Sequence, residues 1–444
     1  MKIVCYYPPI TPQTSFPTWE PLQFVYLRRA LRHRGIDMQL VDGRIDTGPE
    51  RIKKLIEFLN VDTLCLAVTS LTCYQIVDAI ETISAIKQVR TDISVVLGGW
   101  HATILADETL RESSVDYIVR GQGEFTFNAL LDCLEAGRKP YGIAGLSWKD
   151  GIKIVHEAER PIGDLNTLPL LSIADFDFLN LKYYQIKETL FYMSSIGCPY
   201  SCRYCCIKAQ YSHTWNALSA ERVIAELKEL YDHFGFGKLI FWDNVFFVNK
   251  ERVRTICEGL LSQRIKVNWS AHGRINEIIT WDDDFLSLLR QSGCQSIFIG
   301  IESGSQRVLD AINKKICTRD VLPVFNRLKM HGINVDVNYM VGLPGETHHD
   351  VKETVASVLD GLRIFNNDLN IFKVNVYRYV PFPKTSLFNA LPPHQKSTYP
   401  RGSLAWGKYI HDTVNDGFLS LENLFNLKIA TNFNKFKNSC ICKK

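Results

Sequence analysis

An alternation of short apolar runs with helical patterns, broken once near the middle, limits what this chain can fold into more than any other feature. Residues 2–7, 38–41, 63–69, 94–97 and 117–119 are brief and rich in Val, Ile and Leu. Runs of that kind suit strands buried on both faces, because a strand with one wet face would alternate with polar residues. Helical spacing fills the gaps at 21–33, 74–89 and 124–134, and the first of these opens on proline and closes at Gly35. Five strands alternating with helices predict an α/β fold, with an open, doubly wound, Rossmann-like parallel sheet over residues 1–140.

The rhythm stops between 138 and 185. Residues 142–157 read as a hairpin turning at Asp150-Gly151, and 164–181 as an extended connector rich in Pro, Asp and Asn, so 141–185 is taken as hairpin and connector. From 186 the alternation restarts, with strands expected at 191–195, 238–242, 267–271, 296–301, 334–341 and 372–379. Between them, 220–234 carries Val223, Leu227, Leu230, Tyr231 and Phe234 on one helical face behind Ser219 as N-cap. Helices at 285–292 and 319–331 stop at Gly293 and Gly332. The repeats predict a second parallel unit over 186–395, a partial (β/α)6 barrel with its chemistry at the strand C-termini. The remainder, 396–444, is expected to hold one helix near 419–429 and a lysine-rich tail.

Composition narrows the function. Net charge is only +4 on 51 basic and 47 acidic residues, which leaves no electrostatic footprint for a nucleic-acid partner. The first apolar run is stopped by Pro8 and Pro9, too soon for a signal peptide, and no run of about 20 apolar residues predicts a membrane span. A cytoplasmic location is expected. Of 13 cysteines, Cys5, Cys65, Cys73, Cys133, Cys257 and Cys294 stand singly in apolar segments and read as small, reduced, buried side chains. The pair Cys440 and Cys442 reads as part of a frayed tail.

Cys198, Cys202 and Cys205 differ in kind. Their C-x3-C-x2-C spacing, in Gly-Cys-Pro-Tyr-Ser-Cys-Arg-Tyr-Cys directly after a predicted strand, wraps three thiolates around one short loop. Iron–sulfur clusters are held by cysteine thiolates, usually four, and three leave one iron open to bind and reduce a small molecule. A structural zinc would want a second knuckle, and Cys206, adjacent to Cys205, does not supply one.

This motif, with aromatic Tyr204 before the third cysteine, resembles the radical S-adenosylmethionine superfamily. Phe241-Trp242-Asp243-Asn244, Gly300-Ile301-Glu302-Ser303-Gly304 and Val341-Gly342-Leu343-Pro344-Gly345-Glu346 look like that family's strand-end elements. The resemblance implies that Cys198, Cys202 and Cys205 bind three irons of a [4Fe–4S] cluster while the fourth chelates S-adenosylmethionine. It implies that Glu302 meets the methionyl ammonium or the ribose, that Asn338 contacts the nucleoside, and that Tyr204 packs on the adenine. For Glu302, the opposing reading is an acid in the first turn of a helix.

The first sheet lacks G-x-G-x-x-G after its first strand, where Pro8-Pro9-Ile10-Thr11-Pro12 stands instead, so a nicotinamide site is not expected. Other strand ends carry Thr69-Ser70-Leu71-Thr72, Gly98-Gly99-Trp100-His101 and Gly121-Gln122-Gly123-Glu124. Ahead of a radical domain, this set is similar to the cobalamin-binding domain of cobalamin-dependent radical enzymes. That similarity implies a slot for the cobalamin nucleotide tail lined by Ser70, Leu71, Gly98 and Gly99. The D-x-H-x-x-G motif that many cobalamin domains use to ligate cobalt is absent, and His101 reads as a polar loop histidine near the pocket.

The resemblance as a whole implies an enzyme that cleaves S-adenosylmethionine to a 5′-deoxyadenosyl radical and methylates an unactivated carbon through cobalamin. Its partners would be a small-molecule or peptide substrate and an electron donor such as a flavodoxin or ferredoxin. Radical oxidation, cyclisation or rearrangement without methyl transfer is the competing outcome, and a non-catalytic cobalamin or iron–sulfur sensor the more distant one. Tyr377, Tyr379, Phe382 and Phe388 read equally as an apolar substrate pocket or as core.

Overall fold

The computed structural model describes residues 1–12, 19–184, 186–415 and 418–419. Cys440, Cys442 and residues 420–429 of the expected C-terminal helix lie outside them.

Strands β1 (Lys2–Tyr7), β2 (Asp37–Asp42), β3 (Thr63–Thr69), β4 (Ser94–Gly98) and β5 (Tyr117–Val119) run parallel in the order β2-β1-β3-β4-β5. Alternate residues of one strand serve two cores. Val4 and Tyr6 pack with Leu55, Ile76, Ile80 and Ile83 on one face, while Ile3, Cys5 and Tyr7 pack with Phe24, Leu31, Phe127 and Leu130 on the other. Helices therefore cover both faces, which explains the apolar runs and satisfies the doubly wound expectation. The hairpin, β6 (Leu146–Asp150) and β7 (Lys153–His156), turns through Gly151 at φ 63° and continues the same sheet antiparallel beyond β5.

The second sheet contains β8 (Thr189–Tyr192). A short antiparallel ribbon, β9 (Ser195–Gly197) with β10 (Trp215–Ala217), stands beside it. Then follow β11 (Lys238–Phe241), β12 (Asn268–Gly273), β13 (Cys294–Glu302), β14 (Asn334–Val341) and β15 (Phe372–Arg378). β8 and β11 to β15 are parallel in sequential order, and β16 (Phe418–Leu419) adds antiparallel to β15. Six parallel strands in order, open between β8 and β15, make the partial barrel. Its interior is layered by register: His272, Phe298 and Asp336 stand side by side, and one layer higher come Gly300, Asn338 and Asn375.

The first barrel strand ends earlier than the sequence predicts, at Tyr192 rather than 195. Asp243, fully buried, accepts the backbone N–H groups of Ser194 and Ser195 at 2.6 and 3.1 Å and both serine hydroxyls at 2.6 and 2.9 Å. Those donors are thereby taken from the ladder, and the chain turns into the cysteine loop.

After β15 the chain returns to the first sheet. The helix Ser403–Asn415 lies on the helix Tyr74–Val89, where a Cβ at Gly407 would come within 2.7 Å of Ile76 and Val77. Gly402 donates its N–H to Glu108 at 2.7 Å.

Candidate active site

The cysteine loop is fixed by its backbone before any ligand is considered. Gly197, at φ 79°, sits where a Cβ would lie 2.1 Å from the Thr214 carbonyl, so only glycine fits. Asn244 accepts its N–H at 3.2 Å, and Cys198 N–H donates to Thr214 at 3.0 Å. From the far side, Arg203 N–H donates to Ile312, and the Asn313 amide donates to the Ser201 carbonyl and hydroxyl at 3.0 and 2.7 Å. Thus Asp243 and Asn244 of the Phe-Trp-Asp-Asn segment shape the loop.

Burial raises the Cys198 thiol, and burial with the charges of Cys202 and Cys198 pushes Cys205 up to about 11. The three thiols thus feel one another. Yet among the described residues no group of three or more His, Cys, Asp or Glu side chains closes around a single metal ion. Cys206 points away, into an apolar cluster with Ile104, Leu105, Trp406 and Ile410.

Glu302 ends β13 at φ 76°, a conformation rare for a side-chain-bearing residue and associated with functional strain. The following helix, Gln306–Ala311, begins behind Ser305, so Glu302 is not a first-turn helix acid. Its Oε1 accepts the Tyr204 hydroxyl at 2.8 Å and the Lys314 ammonium at 2.7 Å, and Lys314 also donates to the Tyr204 oxygen at 3.2 Å. Gly300 makes room, since a Cβ there would meet Oε1 at 2.3 Å. Tyr204 and Glu302 are therefore brought together, one turn of loop from the cysteines. Asn338 lies across from Gly300 and accepts the Asn375 amide at 3.1 Å, an amide that also donates to Asp336 at 2.6 Å. Of the four aromatic residues left open between pocket and core, Phe382 and Phe388 pack on the Cys206 cluster and Tyr379 is buried, while Tyr377 is 41% exposed.

At the other edge, Ser70, Gly98 and Gly99 form a seam between the ends of β3 and β4. Ser70 donates its N–H to the Gly98 carbonyl at 3.0 Å and its hydroxyl to the same oxygen at 3.3 Å. Gly99 is pressed on Ser70, while beside Gly98 a Cβ would meet nothing nearer than 3.9 Å. Leu71 N–H donates to Gln75 at 2.9 Å, which aims the loop. His101 is fully buried in a short helix, Trp100–Ile104, rather than in a polar loop, and burial lowers it to about 3. Among the described residues, His101 Nε2, Gln122 Nε2 and Gln210 Oε1 are buried without a hydrogen-bond partner. Orphaned buried polar atoms call for an explanation, and an amide-fringed corrin provides partners of the right kind.

The two edges meet. The helix Trp100–Ile104 after the glycine pair packs against the helix Ile207–Tyr211 after the cysteines, and a Cβ at Gly121 would lie 3.5 Å from the Gln210 carbonyl. Two α/β sheets are thus joined at their strand C-termini, with a thiol loop at one edge and a glycine seam at the other.

The comparisons with known proteins agree. The B12 binding domain profile matches residues 13–131 and the Radical SAM superfamily profile residues 192–358. The chain is 30% identical over 395 residues to an uncharacterised methyltransferase of Pyrococcus horikoshii, covering 87% of this chain and 82% of that one. It is 28% identical to the anaerobic magnesium-protoporphyrin IX monomethyl ester cyclase of Rubrivivax gelatinosus, covering 84% of this chain and 66% of the cyclase. The fold matches the cobalamin-dependent S-adenosylmethionine radical enzyme OxsB with a TM-score of 0.73 at 17% identity, over 89% of this chain and 61% of that one. The chain belongs to the radical S-adenosylmethionine superfamily, in the subgroup that carries a cobalamin-binding domain. It is an enzyme whose cofactors are a [4Fe–4S] cluster, S-adenosylmethionine and cobalamin.

Two residues escaped sequence reasoning. Lys314 has no local signature and reaches Glu302 only because the chain folds back after Gln306–Ala311. Arg274 follows β12 directly and places Nη1 3.5 Å from Cys202 Sγ. Its position at a barrel strand end was the available signal.

Proposed function

We propose that this protein is a radical C-methyltransferase that moves a methyl group onto an unactivated carbon, with Cys198, Cys202 and Cys205 holding the cluster. The single observation supporting it is the packing of the glycine-seam helix on the cysteine-loop helix, which sets the two cofactor edges side by side. The name of the Pyrococcus horikoshii relative supports the same outcome. When bound, the cofactors supply one electron for cleaving S-adenosylmethionine and a methyl group carried on cobalt.

The chain's own residues do the placing. Glu302, its charge balanced by Lys314 and its Oε1 held by Tyr204, offers its second oxygen to the ammonium or ribose of S-adenosylmethionine. Asn338, fixed by Asn375, presents an amide to the nucleoside. Ser70, Leu71, Gly98 and Gly99 receive the nucleotide tail of cobalamin, and the Asp243-bound turn holds the thiols in place. Ile104, Leu105, Cys206, Trp406 and Ile410 pack into one apolar cluster where the two edges meet. The substrate is a small molecule or peptide, and the electron arrives from a one-electron carrier such as a flavodoxin or ferredoxin in the cytoplasm.

The test is to incubate the anaerobic holoenzyme with methyl-deuterated S-adenosylmethionine and a metabolite extract, then search for products that gain the labelled methyl group. A labelled product supports the reading. A product formed with 5′-deoxyadenosine but without label favours cyclisation or oxidation, the outcome in the name of the cyclase relative.

A further inference from the structure

Arg274 is 8% exposed, and all three of its hydrogen bonds go to acceptors other than carboxylates. Nη1 donates to Cys202 Sγ at 3.5 Å, Nε to Asn276 Oδ1 at 3.1 Å, and Nη2 to the Lys314 carbonyl. The guanidinium also lies 3.9 Å from the ring centroid of Tyr200, itself a residue of the cysteine loop. Tyr200 is aimed in turn by donating its hydroxyl to Glu277 at 2.7 Å. The cation is thus pinned on every side, and the acceptor with most charge to share is the cysteine sulfur. Lys314 joins this arrangement to the Glu302 site: its carbonyl holds Arg274 and its ammonium holds Glu302.

We propose that Arg274 is a positioning residue that sets the reduction potential of the cluster. This rests on the reading of Cys198, Cys202 and Cys205 as its ligands. Adding an electron makes the cluster more negative. A buried cation with an N–H on one ligand sulfur stabilises that reduced form more than the oxidised one, because potentials follow net charge and hydrogen bonds to sulfur. Arg suits the task better than Lys, since its planar fork serves three acceptors while stacking on an aromatic ring.

The test uses the full chain reconstituted with iron and sulfide, with the reduced cluster followed by electron paramagnetic resonance during a redox titration. Arg274→Gln should lower the reduced-to-oxidised ratio at a fixed potential about tenfold, which for one electron is about 59 mV. Arg274→Lys, which keeps the charge but not the fork, should recover part of that shift with the same iron content. A ratio unchanged within about twofold in Arg274→Gln, with its cluster loaded, overturns the proposal and leaves the ligand assignment standing. Equal shifts in both variants overturn it too, since they would report lost packing rather than charge. A wild-type protein that assembles no cluster overturns the proposal together with the ligand assignment beneath it.

Discussion

Gly99→Ala is the sharpest test of the seam between the two strand ends. Gly99 adopts φ 93° and ψ −172°, a region that is essentially glycine's alone. Forcing alanine there costs about 1–3 kcal/mol in backbone strain. The new Cβ would also stand 2.6 Å from the Ser70 carbonyl oxygen and 2.9 Å from its nitrogen, both rigid backbone atoms. Relieving that overlap costs about 1–3 kcal/mol more, for a total of about 2–6 kcal/mol, and the relief is a widening of the β3–β4 edge. Gly137→Ala is the control. Its φ is 60° with no atom within 4 Å of the new Cβ, so it bears only the backbone cost, about 1–2 kcal/mol. The assay is the corrin absorbance retained after desalting, with iron content and thermal unfolding measured on the same samples. Gly99→Ala should lose most of its cobalamin, keep its iron, and unfold at a lower temperature than Gly137→Ala. Wild-type cobalamin retention with unfolding no earlier than the control would refute the reasoning.

Cys202→Ala should abolish iron binding and all cleavage of S-adenosylmethionine, whereas Cys206→Ala should keep the cluster and lose about 1 kcal/mol of packing, read by iron assay and denaturation. Asp243→Ala strips four hydrogen bonds from Ser194 and Ser195, each orphaned buried donor costing about 1–3 kcal/mol, and should release iron even though no ligand is touched. Burial holds His101 down to about 3 from 6.5, so the unfolded chain binds a proton that the folded chain refuses. Stability from this group should therefore rise with pH across that interval, by at most about 1.4 kcal/mol per pH unit, and level off above it. Denaturation of wild type and His101→Gln at about pH 5 and about pH 7 checks this: the variant should show the smaller change.

The architecture was legible because both sheets are buried on two faces, so their strands appear as uninterrupted apolar runs. The cysteine loop was legible because all three thiols lie within eight residues. What the sequence hid was long-range. Asp243 takes the Ser194 N–H that would continue β8 from 49 residues away along the chain, and no local pattern at 191–195 shows that. Lys314 meets Tyr204 across 110 positions, and Arg274 meets Cys202 across 72. His101 is misplaced for a related reason: a histidine just after Gly-Gly-Trp looks like a loop residue, whereas its short helix packs against β4, β5 and the helix Ile207–Tyr211, and the side chain is buried. The helix at 403–415 is a further element that the sequence reading does not contain.

The most direct test of the account is anaerobic: load the protein with iron, sulfide and hydroxocobalamin, add dithionite and S-adenosylmethionine, and assay for 5′-deoxyadenosine. The account predicts that it forms with the wild-type chain and not with Cys198→Ala, Cys202→Ala or Cys205→Ala. Its absence from wild-type protein carrying a complete, reducible cluster, with a labelled-methyl substrate search also negative, would contradict the radical mechanism.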